Sequence, residues 1–452
     1  MYFPAAEKSI KGGYMGHLFN VKEEYLALQR RLDQTQSGLP PSEELYEILK
    51  ILYTEDEARL AATMPLRPSP LSAIARQTGR SVAELKPLME RMTGKGLVLD
   101  LFNERKNEWY YMIAPPVVGF FEFSMMRRRD NIDQKKLAHL FYSYMHDGKE
   151  FPAGLFSGKT QIGRTVVHET TLPEGDGTEI LSYERASDLI RESAKGAVSL
   201  CFCRHEAEHR GKPCKHPMEI CTSLNGGADY VIRHGHGREA STGELLDILA
   251  RAREEGLVQI CDNVKNRPTY ICHCCSCCCG QLLAINTLGL NHAVKTSQFL
   301  AEVDETKCVG CGKCARACPI QAITMVAVRP EPGKKQPLHS SIDAGICLGC
   351  GVCADTCNKD AMGMIRRKER VLTPENTIER ILKMNLERGK IQHLLFDDQA
   401  GITFKFMNRF LGAILRLPPV KKTLAQEQIQ SRFINFFIDE IKRTHGEDTV
   451  NF

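Results

Sequence analysis

The chain has 452 residues, a formal net charge of +5, and a composition that is 42% hydrophobic and 25% charged. These values are typical of a soluble globular protein of roughly two to four domains, and so small a positive charge does not by itself indicate nucleic-acid binding. The 19 cysteines are clustered rather than dispersed, which favours metal ligation in a reducing compartment over a disulfide framework. The sequence from Met1 to Gly16 has no apolar signal segment, and no apolar run reaches the ~20 residues of a membrane span. We therefore expect a cytoplasmic protein.

The first quarter of the chain predicts a compact helical domain. Residues 1–40 form a helical lead-in, and residues 41–115 show three helices followed by two strands around a polar turn. Gly79 ends the second helix, and Ser81 with Glu84 forms a capping box that begins the third. This stretch resembles winged helix-turn-helix domains such as those of bacterial regulators.

The resemblance raises DNA binding as a function of this domain. The basic residues of its third helix and wing are Arg80, Lys86, Arg91, Arg105 and Lys106. Proteins that bind DNA neutralise several phosphates with clustered lysines and arginines, and this face carries few basic residues for that purpose. Nucleic acid is therefore disfavoured as a partner, and docking of a protein is the alternative.

A connecting region is predicted over residues 116–180 and a cysteine-rich domain over residues 181–300. In the second, a helix, a strand and a set of cysteines occur twice in succession, which predicts an α/β unit with cysteines in loops at strand ends. The cysteines follow the patterns C-x-C-x₁₀-C-x₆-C and CHCCSCCC. The candidate metal ligands are Cys201, Cys203, Cys214, Cys221, Cys272, Cys274, Cys275, Cys277 and Cys278.

Thiolates are soft ligands, which select iron–sulfur clusters, zinc or copper(I). Because adjacent side chains point apart, the dense run at 272–279 can serve two ligand sets. The iron–sulfur pattern further along the chain favours one or two [4Fe–4S] clusters here, with zinc or a cluster with an open iron position as alternatives. Arg204 either lies in solvent or directs its charge and hydrogen bonds at sulfur.

The most specific pattern lies within residues 301–366. The motif C-x₂-C-x₂-C-x₃-C occurs twice there, and it is the bacterial pattern for two [4Fe–4S] clusters, in which each half supplies the fourth ligand of the other. One cluster is assigned to Cys308, Cys311, Cys314 and Cys357, and the other to Cys347, Cys350, Cys353 and Cys318. Residues 302–366 closely resemble two-cluster bacterial ferredoxin domains. Asn358 replaces the proline that usually follows the last cysteine, and this proline is not a ligand.

Residues 367–452 predict a C-terminal helical region. Its segment 402–422 mixes phenylalanines with basic residues. Such a helix packs on protein or makes peripheral contact with a membrane, and packing is the more ordinary outcome. An insertion at 329–338 and a basic run at 366–370 would suit docking to an acidic partner.

Together these features predict an α+β multidomain protein. It comprises an N-terminal winged helix, a cysteine-rich α/β middle domain, a two-cluster ferredoxin-like module and a C-terminal helical region. The layout resembles multidomain iron–sulfur proteins of anaerobic bacteria and archaea. The resemblance implies at least two [4Fe–4S] clusters, and three or four if the middle domain also binds them.

The function expected from this layout is electron transfer. The chain would pass low-potential electrons between a donor and a flavin- or metal-containing redox enzyme complex, either as an electron-transfer protein or as a subunit of an oxidoreductase complex. The alternatives are a reductase with a catalytic cluster in its middle domain and a redox-sensing winged-helix regulator. The sequence leaves open whether the chain is itself an enzyme.

Overall fold

The computed structural model of the protein describes residues 21–104, 106–172, 181–327, 338–397, 402–417, 434–436 and 438–439. Arg105, most of the 329–338 insertion and the end of the 402–422 segment lie outside these residues. The described part combines helices with small sheets, as expected for an α+β protein.

Within the described residues 21–104 and 106–113, the N-terminal part contains five helices and a three-stranded sheet. The helices are α1 (Glu23–Leu32), α2 (Glu43–Leu52), α3 (Glu55–Ala61), α4 (Leu71–Thr78) and α5 (Val82–Lys95). The strands β1 (Ser69–Pro70), β2 (Val98–Asn103) and β3 (Glu108–Ile113) form an antiparallel sheet in the order β1-β3-β2. This arrangement agrees with the predicted helices and hairpin, and the winged-helix assignment stays a prediction.

Local capping fixes where these helices begin and end. Ser81 and Glu84 form both hydrogen bonds of the predicted capping box at the start of α5. Gly79 ends α4 with a left-handed φ of 69°, a conformation that glycine adopts without strain. Helix α3 is absent from the sequence-based expectation, although Thr54 and Glu57 form a second capping box at its start.

The hairpin and α5 pack on the middle of the chain. The Tyr230 hydroxyl donates to the Val98 carbonyl over 2.8 Å, and its ring lies 5.0 Å from that of Phe123. The imidazole of His236 stacks on the same two rings, at 5.3 Å from Phe123 and 5.9 Å from Tyr230. The N-terminal part is therefore joined to the cysteine-rich domain through a buried aromatic contact.

The buried imidazole of His236 makes the stability pH-dependent. Burial lowers its pKa to about 3, whereas an unfolded histidine titrates near pH 6.5. The unfolded chain therefore binds the extra proton below pH ~6.5, and stability that is complete above this pH falls as the pH decreases. Between pH 7.5 and pH 5 we expect His236→Phe to gain about 2 kcal/mol in unfolding free energy relative to the wild type. Denaturant unfolding at both pH values measures this gain.

Exposed His139 offers the matched control for that measurement. His139→Gln should leave the pH dependence unchanged. A pH-independent difference between His236→Phe and the wild type would contradict the expectation.

The connecting region continues the helical layer and then supplies a strand. It contains α6 (Phe121–Met125), α7 (Gln134–His146) and α8 (Glu150–Leu155), followed by β4 (Gly163–Val166). Strand β4 pairs with a strand of the middle domain. The sheet of that domain thus begins inside the region expected to be a connection.

A six-stranded sheet forms the centre of the middle domain. Its further strands are β5 (Gly196–Leu200), β6 (Glu219–Leu224), β7 (Arg238–Glu239), β8 (Val258–Asp262) and β9 (Tyr270–Cys274), in the order β4-β8-β9-β6-β5-β7. The helices of the domain are α9 (Ala186–Arg191), α10 (Phe202–His209), α11 (Asn225–Arg233), α12 (Thr242–Glu254) and α13 (Gly280–Leu288).

The direction of these strands corrects the expected α/β unit. All strand pairs of the described sheet are antiparallel, whereas an α/β unit is built on parallel strands. The chain leaves β5 through α10 and returns directly alongside it as β6, in the opposite direction. The expectation of cysteines in loops at strand ends is also wrong in part, because Cys221, Cys261, Cys272 and Cys274 lie within strands.

Over its described residues, the ferredoxin-like module consists of two two-stranded antiparallel sheets and two short helices. Its elements are β10 (Phe299–Val303), α14 (Lys313–Ala317), β11 (Ile323–Ala327), β12 (Leu338–Ile342), α15 (Val352–Asp355) and β13 (Met362–Arg366). Strand β10 pairs with β13 and β11 with β12, both antiparallel. The two halves therefore interlock, with the first strand of the module closed by the last.

The C-terminal region contains α16 (Thr377–Glu387), α17 (Ile391–Leu395) and α18 (Ile402–Arg416). A buried ion pair between Arg31 and Asp397 ties it to the N-terminal helices. Leu415 is buried with residues of α16 and α17, which agrees with the packing alternative for this segment. Among the helices of the described residues, none has the length and apolar character needed to cross a membrane.

Candidate iron–sulfur and metal centre

The eight cysteines of the ferredoxin-like module line two cavities. The outer cavity is lined by Cys308, Cys311, Cys314 and Cys357, and the inner cavity by Cys347, Cys350, Cys353 and Cys318. Each cavity therefore combines three cysteines of one motif with the last cysteine of the other. These are the two sets that the spacing predicts.

Glycines give the loops around these cavities their shape. Gly310 and Gly349 have positive φ values of 66° and 70°. A Cβ atom at Gly310 would lie 2.1 Å from the Leu338 carbonyl oxygen, and one at Gly349 would lie 2.1 Å from that of Phe299. Both positions thus require glycine for conformation and for space. The resulting loops leave room for an inorganic group among four thiols, so the residues fit a [4Fe–4S] cluster in each cavity.

The two cavities differ in their exposure to solvent. Val309 is 63% exposed and Cys311 is exposed, so the outer cavity reaches the surface. The inner cavity is lined by buried apolar side chains that include Leu348 and Met364, and three of its four cysteines are buried. Burial raises the pKa of the Cys350 thiol to about 12, so this thiol stays protonated unless a metal displaces its proton.

The inner cavity faces the middle domain, and His168 makes the connection. The backbone N–H of His168 donates to the Cys350 carbonyl over 2.9 Å, and its ring Nε2 lies 2.9 Å from the Leu257 carbonyl oxygen. Its Nδ1 lies 2.6 Å from Asp355 of α15. Leu257 immediately precedes β8, in which Val258 pairs with Cys274 of β9. One fully buried histidine thus joins the inner cluster loop to the cysteine-bearing strands.

Four cysteines of the middle domain form a compact group, which we call the four-thiol group. It consists of Cys214, Cys275, Cys277 and Cys278, whose Sγ atoms all lie within 4.8 Å of one another. The Sγ atom of Cys214 lies 3.7 Å from that of Cys275 and 3.5 Å from that of Cys277. A hydrogen bond from Cys278 lowers the pKa of Cys275 to about 4 and raises that of Cys278. The thiolate form of Cys275 is therefore favoured.

The other cysteines of the two patterns form a second group, the six-thiol group. Side-chain contacts link its members in one chain, in the order Cys221, Cys272, Cys274, Cys279, Cys203 and Cys201. No three of these described cysteines have Sγ atoms within 4.8 Å of one another, so the group is wider than the four-thiol group. As soft donors, these six thiols fit an iron–sulfur cluster by their chemistry.

One member of this group is missing from the ligands predicted from the sequence. Cys279 is not among the candidate ligands, although it contacts both Cys203 and Cys274. Its position at the end of the run, one residue after a member of the other group, is the signal that could have identified it. Cys261 is buried in β8 and has no such thiol contact among the interactions described for it.

Arg204 lies between the two groups and is fully buried. Its guanidinium donates to the Pro217 carbonyl over 2.7 Å and to the His273 carbonyl over 2.9 Å. Burial disfavours its charge, but the thiolates of Cys201 and Cys275 outweigh burial and raise its pKa. Arg204 is therefore the charged partner of the sulfur atoms, and the solvated alternative is wrong.

Some basic residues on and beside the predicted DNA-binding face form ion pairs with acidic side chains of the same domain. The side chain of Arg80 pairs with Asp56. Lys95, at the end of α5, pairs over 2.6 Å with Glu57, and the Arg91 Nε lies 4.0 Å from the same carboxylate. These contacts leave still less positive charge for phosphates.

Comparison with known protein families matches residues 307–361 to the 4Fe-4S dicluster domain. The match contains all eight cysteines that line the two cavities of the ferredoxin-like module. No curated protein and no solved structure matches the chain. The chain is therefore an iron–sulfur protein with a dicluster domain, accompanied by a second cysteine-rich region.

Proposed function

We propose that the protein passes low-potential electrons between a donor and a redox enzyme complex, using two ferredoxin-type clusters and a third in the six-thiol group. Such clusters accept and release single electrons at potentials set by charge, hydrogen bonds and exposure. The observation that carries the proposal is the order of the three sites. The outer cavity opens at the surface, whereas the inner cavity adjoins the cysteine-rich sheet.

Electron transfer requires that the inner cluster site is shielded from solvent and lies against the next site, and residues of this chain provide both. Apolar side chains shield the inner cavity, and His168 holds its loop against the strand that neighbours β9. The exposed rim at Val309 and Cys311 is the place where a partner could approach the outer cavity. A single electron would thus enter or leave at this rim, with the six-thiol group at the far end.

The basic run at 366–370 contributes less to docking than its sequence suggests. Arg366 pairs with Glu184 over 3.1 Å, and Arg367 donates to the carbonyl groups of Ser297 and Cys347. Lys368 and Arg370 are exposed. A partner with an acidic surface remains our proposal, with these two side chains as its contacts.

The test is an iron analysis of anaerobically purified protein, together with EPR spectra recorded during a stepwise reduction. We expect about twelve irons per chain in three clusters, since each [4Fe–4S] cluster holds four. The triple variant Cys203→Ala/Cys274→Ala/Cys279→Ala leaves fewer thiols in the six-thiol group than a cluster needs. It should lose one signal and about four irons and keep the signals of the dicluster domain. Cys261→Ala, a buried cysteine of the same sheet, is the matched control. Two signals and about eight irons in the wild-type protein would refute the role of the six-thiol group.

A reductase with chemistry in the middle domain is the second candidate. The six-thiol group contains two thiols more than one [4Fe–4S] cluster needs. Burial raises the pKa of the nearby Glu122 carboxyl to about 8, against the opposing hydrogen bond from the Gly119 N–H, so this group holds a proton at neutral pH. An EPR signal that changes on addition of a substrate, and only with Glu122 present, would favour this candidate.

A further inference from the structure

The sulfur atoms of the four-thiol group lie closer together than those of the other cysteine sites. All four Sγ atoms lie within 4.8 Å of one another, and the separation between Cys277 and Cys278 is 3.7 Å. No three of the eight cysteines in the dicluster domain, all of them described, come this close together. The two kinds of site are therefore built for groups of different size.

These separations match a single tetrahedral metal ion. A Zn–S bond of ~2.3 Å places tetrahedral sulfur ligands about 3.8 Å apart. A [4Fe–4S] cluster needs cysteine sulfur atoms that lie farther apart, because four irons and four sulfides lie between them. Disulfides are excluded as the reason for the short contacts, since an S–S bond measures ~2.05 Å. Ordinary core packing is also a poor explanation, because Cys277 is exposed.

We propose that Cys214, Cys275, Cys277 and Cys278 bind one structural zinc ion next to the six-thiol group. The loop after α10 supplies Cys214, and the turn after β9 supplies the other three. Arg204 lies behind the site and bonds the backbone of both segments, at Pro217 and at His273. The zinc therefore fastens together the stretches 201–221 and 272–279, which carry all the thiols of the six-thiol group.

The chemistry of the donors agrees with this assignment. Four thiolates give the site a formal charge of −2 with a divalent ion, and the buried guanidinium of Arg204 offsets part of it. A closed set of four cysteines is typical of structural zinc, whereas a catalytic zinc keeps an open position. The exposed edge at Cys277 gives the ion a path from solvent.

Metal analysis of the whole chain tests the proposal. Zinc, iron and sulfide are measured in anaerobically purified protein, and X-ray absorption at the zinc edge reports the ligands. We expect one zinc per chain with four sulfur neighbours at about 2.3 Å. Cys277→Ala, at the exposed edge, should lower zinc content at least tenfold and leave the iron of the dicluster domain unchanged. Cys261→Ala should retain both metals.

Three results would overturn the proposal. The first is wild-type protein without zinc, and the second is a single iron in the same sulfur environment. The third is a loss of about four irons in Cys277→Ala, which would assign a cluster to the four-thiol group. The wild-type measurement stands even if a variant does not fold. Because zinc and iron are counted separately, failure of the zinc site and failure of the proposed electron transfer can be told apart.

Discussion

Replacing Cys318 or Cys350 with alanine should remove the same cluster, although the two residues belong to different motifs. Both residues line the inner cavity. Each variant should lose the same EPR signal and between about one and about four irons, because a [4Fe–4S] cluster that lacks one of its four thiolates releases its unligated iron or the whole cluster. Iron and sulfide analysis with EPR of the reduced protein measures the loss.

Cys314 and Cys357 provide the complementary pair, because both line the outer cavity. Their alanine variants should lose the other signal and keep the first. The assignment of ligands would be wrong if Cys318→Ala lost the same signal as Cys314→Ala. Cys261→Ala, which removes a buried cysteine outside the dicluster domain, should retain all iron.

Replacing Arg204 with methionine should have the largest effect outside the cysteines. The guanidinium is fully buried, and the variant would leave buried thiolates without their positive partner. Removing one member of a buried charged pair costs about 3–5 kcal/mol. We expect a loss of this order in unfolding free energy, together with reduced zinc and iron content, measured by anaerobic unfolding in guanidinium chloride and by metal analysis.

Two further variants separate charge from general destabilisation. Arg204→Lys keeps the charge but loses the paired hydrogen bonds, so its effect should lie between those of methionine and the wild type. Arg128 is an exposed arginine in an ion pair with Glu208, and Arg128→Met should cost less than about 1 kcal/mol. Equal effects of Arg204→Met and Arg128→Met would contradict the role given to Arg204.

The sequence predicts most where the geometry is local. The capping box of Ser81 and Glu84 identifies α5, and two spaced motifs identify the dicluster domain. The sequence also predicts that the 272–279 run can serve two ligand sets. The structure divides the cysteines of this run between two groups of thiols, although the neighbours Cys277 and Cys278 lie in the same group.

Features that depend on distant segments are predicted less well. The expected α/β unit is an antiparallel sheet, since local periodicity does not reveal which way the next strand runs. The ion pair of Arg31 with Asp397 joins residues far apart in sequence. The separation of Cys214 from Cys203 and Cys221 into different groups likewise follows from tertiary contacts rather than from spacing.

The division of the 272–279 run between the two thiol groups limits which mutations this segment can accept. Consecutive cysteines at 274 and 275, and again at 278 and 279, belong to different groups. Deleting exposed Ser276 would shift the following residues by one position. Cys279 would then take the place of Cys278 in the four-thiol group, and the six-thiol group would lose a ligand. The segment should therefore tolerate a substitution at position 276. An insertion or deletion should not be tolerated, because it would change which cysteines come together.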